Sequence, residues 1–311
     1  MENNVFGKTV VRDMINRSAE NETDRRVFLK AAGVAGLGTV GAGAATVLSP
    51  LSAEAAAVSD GAVFNFALNL EYLEAEFYSY AAFGKGLDRK FTTGKGDRGG
   101  VTGGRRVKFD TRAIASIASE IAIDEVDHVK FLRKALGGAK VSRPAIDLQN
   151  SFTAAAQAAG LIGPKDKFDP FANENNFLLA AFIFEDVGVT AYKGAAPLIK
   201  NAAFLEAAAG ILAVEAYHAA IIRTKLYDLG QRKAVKAISD ARDSLDGKSS
   251  LDQGIGTSRQ SNLVPTDRNG IVYSRSAGQV LNIVYLNPKS VSKGGFFPKG
   301  VNGAIRKSAG N

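Results

Sequence analysis

Only two histidines occur among the 311 residues, and each of them ends a Glu-x-x-His motif. Glu125 is paired in this way with His128, and Glu215 with His218. Side chains three residues apart on an α-helix project from the same face, with Cβ atoms roughly 5–6 Å apart. A carboxylate and an imidazole at this spacing are suited to bind one transition-metal ion. Since the chain has no cysteine, any metal must be held by carboxylate and imidazole ligands.

A further glutamate lies in an apolar stretch upstream of each motif. These residues are Glu71 and Glu185, and a tyrosine follows each of them seven residues later, at Tyr78 and Tyr192. One glutamate from each of two helices, together with Glu-x-x-His from each of two others, is the ligand set known from dinuclear carboxylate bundles. Four carboxylates would also neutralise two divalent ions. The predicted metal ligands are therefore Glu71, Glu125, His128, Glu185, Glu215 and His218.

The two halves of the chain repeat this pattern. Ile121, Glu125, His128, Arg133 and Leu136 align with Ile211, Glu215, His218, Arg223 and Leu226. A pseudo-two-fold bundle would therefore give each metal an equivalent half-site. The repeat also indicates which of Glu71 and Glu74 is the metal ligand, because the residue that corresponds to Glu74 in the second half is Gly188. We predict Glu71 as the ligand and Glu74 as a group that supports the ligands or as an additional ligand.

The tyrosines and arginines of the repeat are predicted to support the site without binding the metals. Tyr78 and Tyr192 are expected to hydrogen-bond ligand glutamates, and electron or radical transfer is the alternative. Arg133 and Arg223 are expected to form surface or inter-helix ion pairs without contacting a metal.

Four segments with apolar residues at three- and four-residue steps carry these side chains. They span about residues 60–83, 112–136, 175–194 and 201–229, with a glycine at or just beyond the end of each. A crossover of about 38 residues, with a short helix near 152–159, separates the second segment from the third. The pattern predicts an all-α fold, a four-helix bundle with one long crossover.

The remaining segments are predicted to surround this bundle, which we place at residues 56–230. A glycine-rich and basic insert at 84–110 is interpreted as a long loop or a β-hairpin. Beyond it, residues 231–311 form a C-terminal extension that we expect to pack over the bundle. Within this extension a short helix is predicted near 232–245, and residues 277–285 are apolar.

The formal net charge of +8 lies entirely outside the first 55 residues, which contain six basic and six acidic side chains. Much of the excess lies at 85–112 and in the C-terminal tail. A basic surface can bind nucleic acid or anionic lipid. Because no nucleic-acid-binding motif accompanies the charge, we favour solvated loops and expect no nucleic-acid partner.

The N-terminus has the three parts of an export signal. Residues 24–30, Asp-Arg-Arg-Val-Phe-Leu-Lys, are similar to the twin-arginine motif. An apolar run follows at 31–48, and a small-x-small cleavage sequence lies at 53–55. The run is nearly long enough for a permanent membrane helix, which is the alternative. The weak hydrophobicity of the run and the cleavage sequence favour a removable signal peptide over a membrane helix.

We therefore predict that residues 1–55 form a twin-arginine signal peptide, removed after Ala55 or Ala57. The partner during export would be the twin-arginine translocase, and the mature protein would be periplasmic or extracellular. This route exports folded proteins, so it suits a protein that loads its metal inside the cell.

Two passages carry a family resemblance. Residues 68–78, Leu-Asn-Leu-Glu-Tyr-Leu-Glu-Ala-Glu-Phe-Tyr, resemble the first helix of exported ferritin-like domain proteins of the desiccation-related type. Residues 294–298, Gly-Gly-Phe-Phe-Pro, and 301–303, Val-Asn-Gly, are similar to the C-terminal signature of that family. The resemblance covers about residues 60–230 and, loosely, the tail. It implies a ferritin-like bundle and the same six ligands.

The wider ferritin-like superfamily includes ferritins, rubrerythrins and manganese catalases, so the fold does not select the reaction. The chain lacks the cysteine-bound iron domain of rubrerythrins, and its inserts depart from compact, cage-forming ferritins. A cage is accordingly not expected, while a smaller homo-oligomer stays open.

Two transition-metal ions are the predicted cofactors, with iron or manganese favoured over zinc. The favoured function is an oxidoreductase that acts on peroxide or dioxygen, a small oxygen species, in stress protection. No residue is assigned as catalytic. The alternatives are a metal-binding or storage protein without turnover, and a structural desiccation-stress protein whose metals only stabilise the bundle.

Overall fold

The computed structural model describes residues 58–311. The predicted signal peptide and its cleavage site lie outside these residues. In the described part, seven α-helices follow one another along the chain: α1 (Asp60–Phe83), α2 (Arg112–Leu136), α3 (Asn150–Ala158), α4 (Glu174–Ala195), α5 (Ala202–Asp228), α6 (Arg232–Asp243) and α7 (Ala277–Val284). Single 3-10 turns lie at Arg89–Phe91, Gly137–Ala139 and Ala196–Leu198.

The four long helices form the bundle. Helix α1 packs along α2, α4 packs along α5, and α1 also contacts α4. The crossover that contains α3 joins the two pairs, so the predicted all-α four-helix bundle with one long crossover is confirmed.

Local capping signals define the ends of the bundle helices. Ser59, Asn173 and Asn201 precede α1, α4 and α5, and the side chain of each accepts a hydrogen bond from a backbone N–H in the first turn. At the other end of α1, Gly84 has a φ of 73° and donates its N–H to the carbonyl of Tyr80 over 2.8 Å. Because these caps fix where α1, α4 and α5 start, they also fix the height at which the glutamate of each of these helices lies.

Helix α4 begins one residue before the predicted range of 175–194 and ends one residue after it. Gly194 therefore lies inside the last turn of α4 and does not follow it. A Cβ atom at position 194 would lie 1.9 Å from the carbonyl oxygen of Arg275. This glycine thus permits the close approach of the C-terminal extension.

The glycine-rich insert is not a β-hairpin. Its short strand β1 (Val101–Thr102) pairs in parallel with β2 (Ile146–Asp147) of the crossover, whereas a hairpin pairs two successive antiparallel strands. The N–H of Lys95 likewise donates to the carbonyl of Lys140 over 2.9 Å. The hairpin alternative is therefore wrong, because the backbone groups of the insert bind the crossover.

The C-terminal extension packs on the bundle through α6 and α7, which both contact α4. The ring of Phe296 lies against Phe184 of α4 and Phe152 of α3, with ring centroids 4.9 Å apart in both pairs. With this cover, most residues of α1 and α4 are buried on all sides of the helix. This explains why their sequences are apolar nearly all round and do not show a single apolar stripe.

A buried ion cluster connects the extension to the bundle. Asp186 on α4 accepts hydrogen bonds from Arg223 on α5 over 2.7 Å and from Arg242 on α6 over 2.9 Å. Arg242 and Arg275 also form ion pairs with Asp252. Arg223 therefore forms an inter-helix ion pair, as expected.

Arg133, the counterpart of Arg223 in the repeat, does not form the predicted ion pair with any residue of the described part, 58–311. Its buried guanidinium donates to the carbonyls of Thr93 over 2.6 Å and Lys90 over 3.1 Å, and to the hydroxyl of Tyr72. The insert thus brings backbone carbonyls to this arginine where the other half of the chain offers Asp186.

Candidate metal centre

The bundle brings all six predicted ligands to one buried cluster between its four long helices. Helices α1 and α4 contribute one glutamate each, and α2 and α5 each contribute a Glu-x-x-His pair. The cluster consists of two overlapping groups. We call them the His128 group, which contains Glu71, Glu125, His128 and Glu215, and the His218 group, which contains Glu125, Glu185 and His218.

In each group, one ligand atom per residue can be chosen so that these atoms all lie within 4.8 Å of one another. Nδ1 of His128 is 3.2 Å from Glu71 Oε2 and 3.6 Å from Glu125 Oε2. Oε1 of Glu215 is 3.8 Å from the same nitrogen. The histidine nitrogen and three carboxylates therefore surround one small volume.

The His218 group has a similar geometry. Nδ1 of His218 lies 3.1 Å from Glu125 Oε1 and 3.7 Å from Glu185 Oε2. The two imidazole rings have centroids 6.4 Å apart. Since Glu125 directs one carboxylate oxygen at each histidine, it lies between the two groups and belongs to both.

The hydrogen-bonding state of these atoms tests whether the site fits a metal. Both carboxylate oxygens of Glu125 and of Glu215, together with Oε2 of Glu185 and Nδ1 of His218, are buried and lack a hydrogen-bond partner among residues 58–311. Buried polar atoms are normally paired, and unpaired carboxylates are destabilising. Cations are the partners that suit inward-facing carboxylates and an imidazole nitrogen, so the residues present fit transition-metal ions.

Two tyrosines connect α1 and α4 through hydrogen bonds to predicted ligand glutamates. The hydroxyl of Tyr78 on α1 donates to Oε1 of Glu185 on α4, and the hydroxyl of Tyr192 on α4 donates to Oε1 of Glu71 on α1. Each hydrogen bond leaves the second carboxylate oxygen free for the cluster. This places both tyrosines in the predicted supporting position.

Glu74 is also buried at the cluster, beside Glu215. A Cβ atom on Gly188 would lie 2.2 Å from Glu215 Oε2 and 3.5 Å from Glu74 Oε1. Gly188 therefore leaves room for the carboxylate of Glu215, whereas Glu74 would be in ordinary van der Waals contact with such a Cβ. Sequence reasoning identified Gly188 only as the counterpart of Glu74. A glycine inside a helix, three residues after Glu185, is the sequence signal that could have indicated a packing requirement.

A second residue missed from the sequence is Asp124. Its Oδ2 lies 3.1 Å from Nε2 of His218, the ring nitrogen that faces away from the cluster. The only available signal was an aspartate directly before Glu125, and this does not reveal a partner on another helix.

The electrostatics of the cluster favour bound protons when no cation is present. Burial raises the pKa of Glu71 to about 7 and that of Glu185 to about 8. Burial, aided by neighbouring carboxylates, also raises the pKa values of Glu74 and Glu215 well above the ordinary value. Crowded acids in a low-dielectric interior cannot all ionise together.

The pKa values of both histidines are raised, as expected for imidazoles that are surrounded by carboxylates. Burial opposes ionisation, yet the carboxylates of Glu71 and Glu125 raise the pKa of His128 to about 11. Glu125 and Glu185 similarly raise the pKa of His218 to about 9 against the effect of its burial. Despite its own burial, Glu125 has its pKa lowered to about 2 by the two neighbouring histidines. A metal would therefore displace protons from both imidazoles.

A four-helix bundle with one long crossover and a buried carboxylate and histidine cluster defines a ferritin-like protein. A family model described as ferritin-like domain matches residues 59–228. The chain belongs to the ferritin-like domain family, and the predicted resemblance to its desiccation-related members is confirmed.

Two curated relatives match most of the chain. It is 32% identical over 267 residues to the "Desiccation-related protein PCC13-62" of Craterostigma plantagineum, covering 79% of this chain and 83% of the relative. It is 30% identical over 269 residues to the "Ferritin-like catalase Nec2" of Nesocodon mauritianus, covering 79% of this chain and 84% of that protein. No solved structure matches the chain.

Proposed function

We propose that this chain binds two iron or manganese ions and acts as an oxidoreductase on hydrogen peroxide or dioxygen in stress protection. The observation that carries the proposal is the set of inward-facing carboxylate oxygens that surround two histidines and have no hydrogen-bond partner in the part of the chain that the structure describes. The relative named as a ferritin-like catalase supports peroxide as the substrate.

The two overlapping groups divide the ligands between two ions. Glu71, His128 and Glu215 would hold one ion, Glu185 and His218 would hold the other, and Glu125 would serve both. Such a pair of ions supplies reversible redox chemistry, with which two peroxide molecules are converted to one dioxygen and two water molecules.

Side chains around the cluster orient the ligand carboxylates, and one of them holds a proton. The hydroxyls of Tyr78 and Tyr192 hold the carboxylates of Glu185 and Glu71, so that each keeps one oxygen facing the cluster. The buried carboxyl of Glu74, with its raised pKa, holds a proton beside Glu215. All six predicted ligands are buried, and this burial keeps bulk water away from the cluster.

The test measures metal content per chain and dioxygen release from peroxide on the same preparation. We expect two ions per chain and turnover in the wild type, and loss of both in Glu215→Gln. Glu206→Gln is the matched control, because Glu206 is an exposed glutamate on the same helix. Metal-loaded protein that is inert toward both peroxide and dioxygen would refute an oxidoreductase.

The second candidate is a desiccation-stress protein that binds metal at the same cluster without turnover; the relative named as desiccation-related supports the stress role, and the carboxylate and histidine cluster supports the metal. The metals would then be stored or would stabilise the bundle. A large shell in solution, together with iron uptake beyond two ions per chain, supports storage. A sharp fall of the melting temperature on chelation, without redox activity, supports the stabilising role.

We also propose that the protein is exported by the twin-arginine translocase and acts in the periplasm or outside the cell. Support comes from Arg25 and Arg26, which are followed by Phe-Leu-Lys at 28–30. Replacement of both arginines by lysine should retain the full-length chain in the cytoplasm. Cell fractionation measures this, and unchanged export of the double variant contradicts the proposal.

A further inference from the structure

The two halves of the site are similar but not identical. In the repeat, Glu125 corresponds to Glu215, so Asp124 of α2 corresponds to Val214 of α5. A carboxylate therefore precedes the Glu-x-x-His motif in one half only. The second difference, Glu74 against Gly188, places an extra carboxyl group beside Glu215 of the His128 group.

Asp124 acts on the histidine of the opposite helix. Its Oδ2 lies 3.1 Å from Nε2 of His218, while Nδ1 of the same ring lies 3.1 Å from Oε1 of Glu125. When Nε2 carries the hydrogen and donates it to Asp124, Nδ1 presents its lone pair to the cluster. A carboxylate behind a metal-binding imidazole in this way fixes the ring and increases its basicity.

His128 lacks this support. Its Nδ1 faces Glu71 Oε2 over 3.2 Å. Its Nε2 makes no hydrogen bond to any of residues 58–311, and the position equivalent to Asp124 is Val214. Within the described part of the chain, no side chain or backbone carbonyl therefore holds the Nε2 side of the His128 ring as Asp124 holds that of His218.

Asp124 differs from an aspartate that only forms an ion pair on the protein surface. Asp127, one turn further along α2, has a side chain that is 61% exposed and binds Lys130 over 2.7 Å. The side chain of Asp124 is 41% exposed and is directed at a ring that is 4% exposed. The two aspartates thus differ in partner and direction, although they share a helix and a charge.

We infer that the two metal positions are inequivalent, and that Asp124 is a positioning residue for His218 alone. The inference rests on the proposed function in one respect, since it requires that two ions bind. It predicts one position whose imidazole is oriented by a carboxylate, and one position where only the ligands themselves orient the ring.

The experiment titrates the full chain with Co²⁺ against a competing chelator and resolves the two binding steps. Asp124→Val, which copies the other half of the repeat, should weaken one step by roughly 10- to 100-fold and leave the other within about threefold. Asp124→Asn keeps an acceptor for Nε2–H and should recover part of the loss. Asp127→Val is the matched control and should change neither step. Val214→Asp should strengthen the step that Asp124→Val does not affect.

A spectroscopic measurement separates positioning from folding. In Co²⁺-loaded wild type, the ring N–H of one histidine should show a paramagnetically shifted proton resonance that exchanges slowly with water, and Asp124→Val should remove this resonance alone. Equal weakening of both steps, no change in either step, or retention of the resonance in Asp124→Val would overturn the inference while leaving the dimetal site intact. Wild-type protein that binds no Co²⁺, iron or manganese would overturn both the inference and the proposed function.

Discussion

Tyr78 on α1 donates a hydrogen bond to Glu185 on α4, and the reciprocal pair, Tyr192 with Glu71, runs in the opposite direction between the same two helices. The two central helices are therefore joined by a pseudo-symmetric pair of contacts at the level of the site. These contacts couple the packing of the bundle to the orientation of its carboxylates.

Tyr78→Phe should weaken metal binding by roughly 10- to 100-fold, because the change removes the donor that orients Glu185. The carboxylate oxygen that loses its partner stays buried, which costs about 1–3 kcal/mol in the metal-free protein. Chelator competition measures the affinity. Tyr217→Phe is the control, because Tyr217 is 70% exposed on α5. Equal affinities of Tyr78→Phe and wild type would show that the hydroxyl does not orient the ligand.

Gly188→Ala should abolish binding of at least one ion, since the added Cβ would lie 2.2 Å from Glu215 Oε2. Gly210→Ala provides a control inside α5, where a Cβ meets nothing within 4 Å. The control should stabilise the protein by about 0.5–1 kcal/mol, because alanine favours the helix. Metal content and denaturant unfolding distinguish the two variants. A fully loaded Gly188→Ala protein would contradict the steric argument.

Metal affinity should rise with pH between about pH 6 and 9. In the metal-free protein the pKa values are about 7 for Glu71, about 8 for Glu185 and about 9 for His218. Below these values protons occupy the ligands, so each bound ion must release them. Calorimetry in buffers of different ionisation enthalpy measures the released protons. Binding without proton release at pH 7 would disagree with this account.

The metal-free protein should show the opposite trend in stability over the same range. The folded state binds more protons than the unfolded state, because its glutamate and histidine pKa values are raised, so the free energy of unfolding falls as the pH rises. Glu125 does not alter this trend, since a pKa of about 2 keeps it ionised throughout. Melting temperatures of chelated protein at pH 6 and pH 9 provide the test, and a higher value at pH 9 would be inconsistent with protonated ligands.

Asp186→Asn should destabilise the fold by about 3–5 kcal/mol, because it leaves the buried guanidinium groups of Arg223 and Arg242 without their shared carboxylate. Asp240→Asn is the control, because Asp240 pairs with Lys236 on the exposed side of α6, and such surface pairs contribute about 0–1 kcal/mol. Urea denaturation measures both. Similar losses in the two variants would mean that the buried cluster does not hold the extension on the bundle.

Much of the architecture could be predicted because the bundle helices carry local signals. Residue periodicity and the glycines near the helix ends placed all four long helices to within about two residues. The insert could not be predicted in the same way. The partner of β1 lies in the crossover, more than forty residues away, and no local pattern encodes such a pairing.

The identity of the side chains that can meet at the cluster follows from the order of residues in the chain. With two histidines, no cysteine and a Glu-x-x-His repeat, helical geometry alone places each carboxylate beside its imidazole. The contacts between helices, in contrast, are established by the packing of the folded protein. Asp124 lies at hydrogen-bond distance from His218, and Tyr78 donates a hydrogen bond to Glu185. Arg133 donates to backbone carbonyls, whereas its counterpart Arg223 donates to Asp186. Such contacts depend on the relative height and rotation of packed helices, which short-range periodicity does not specify.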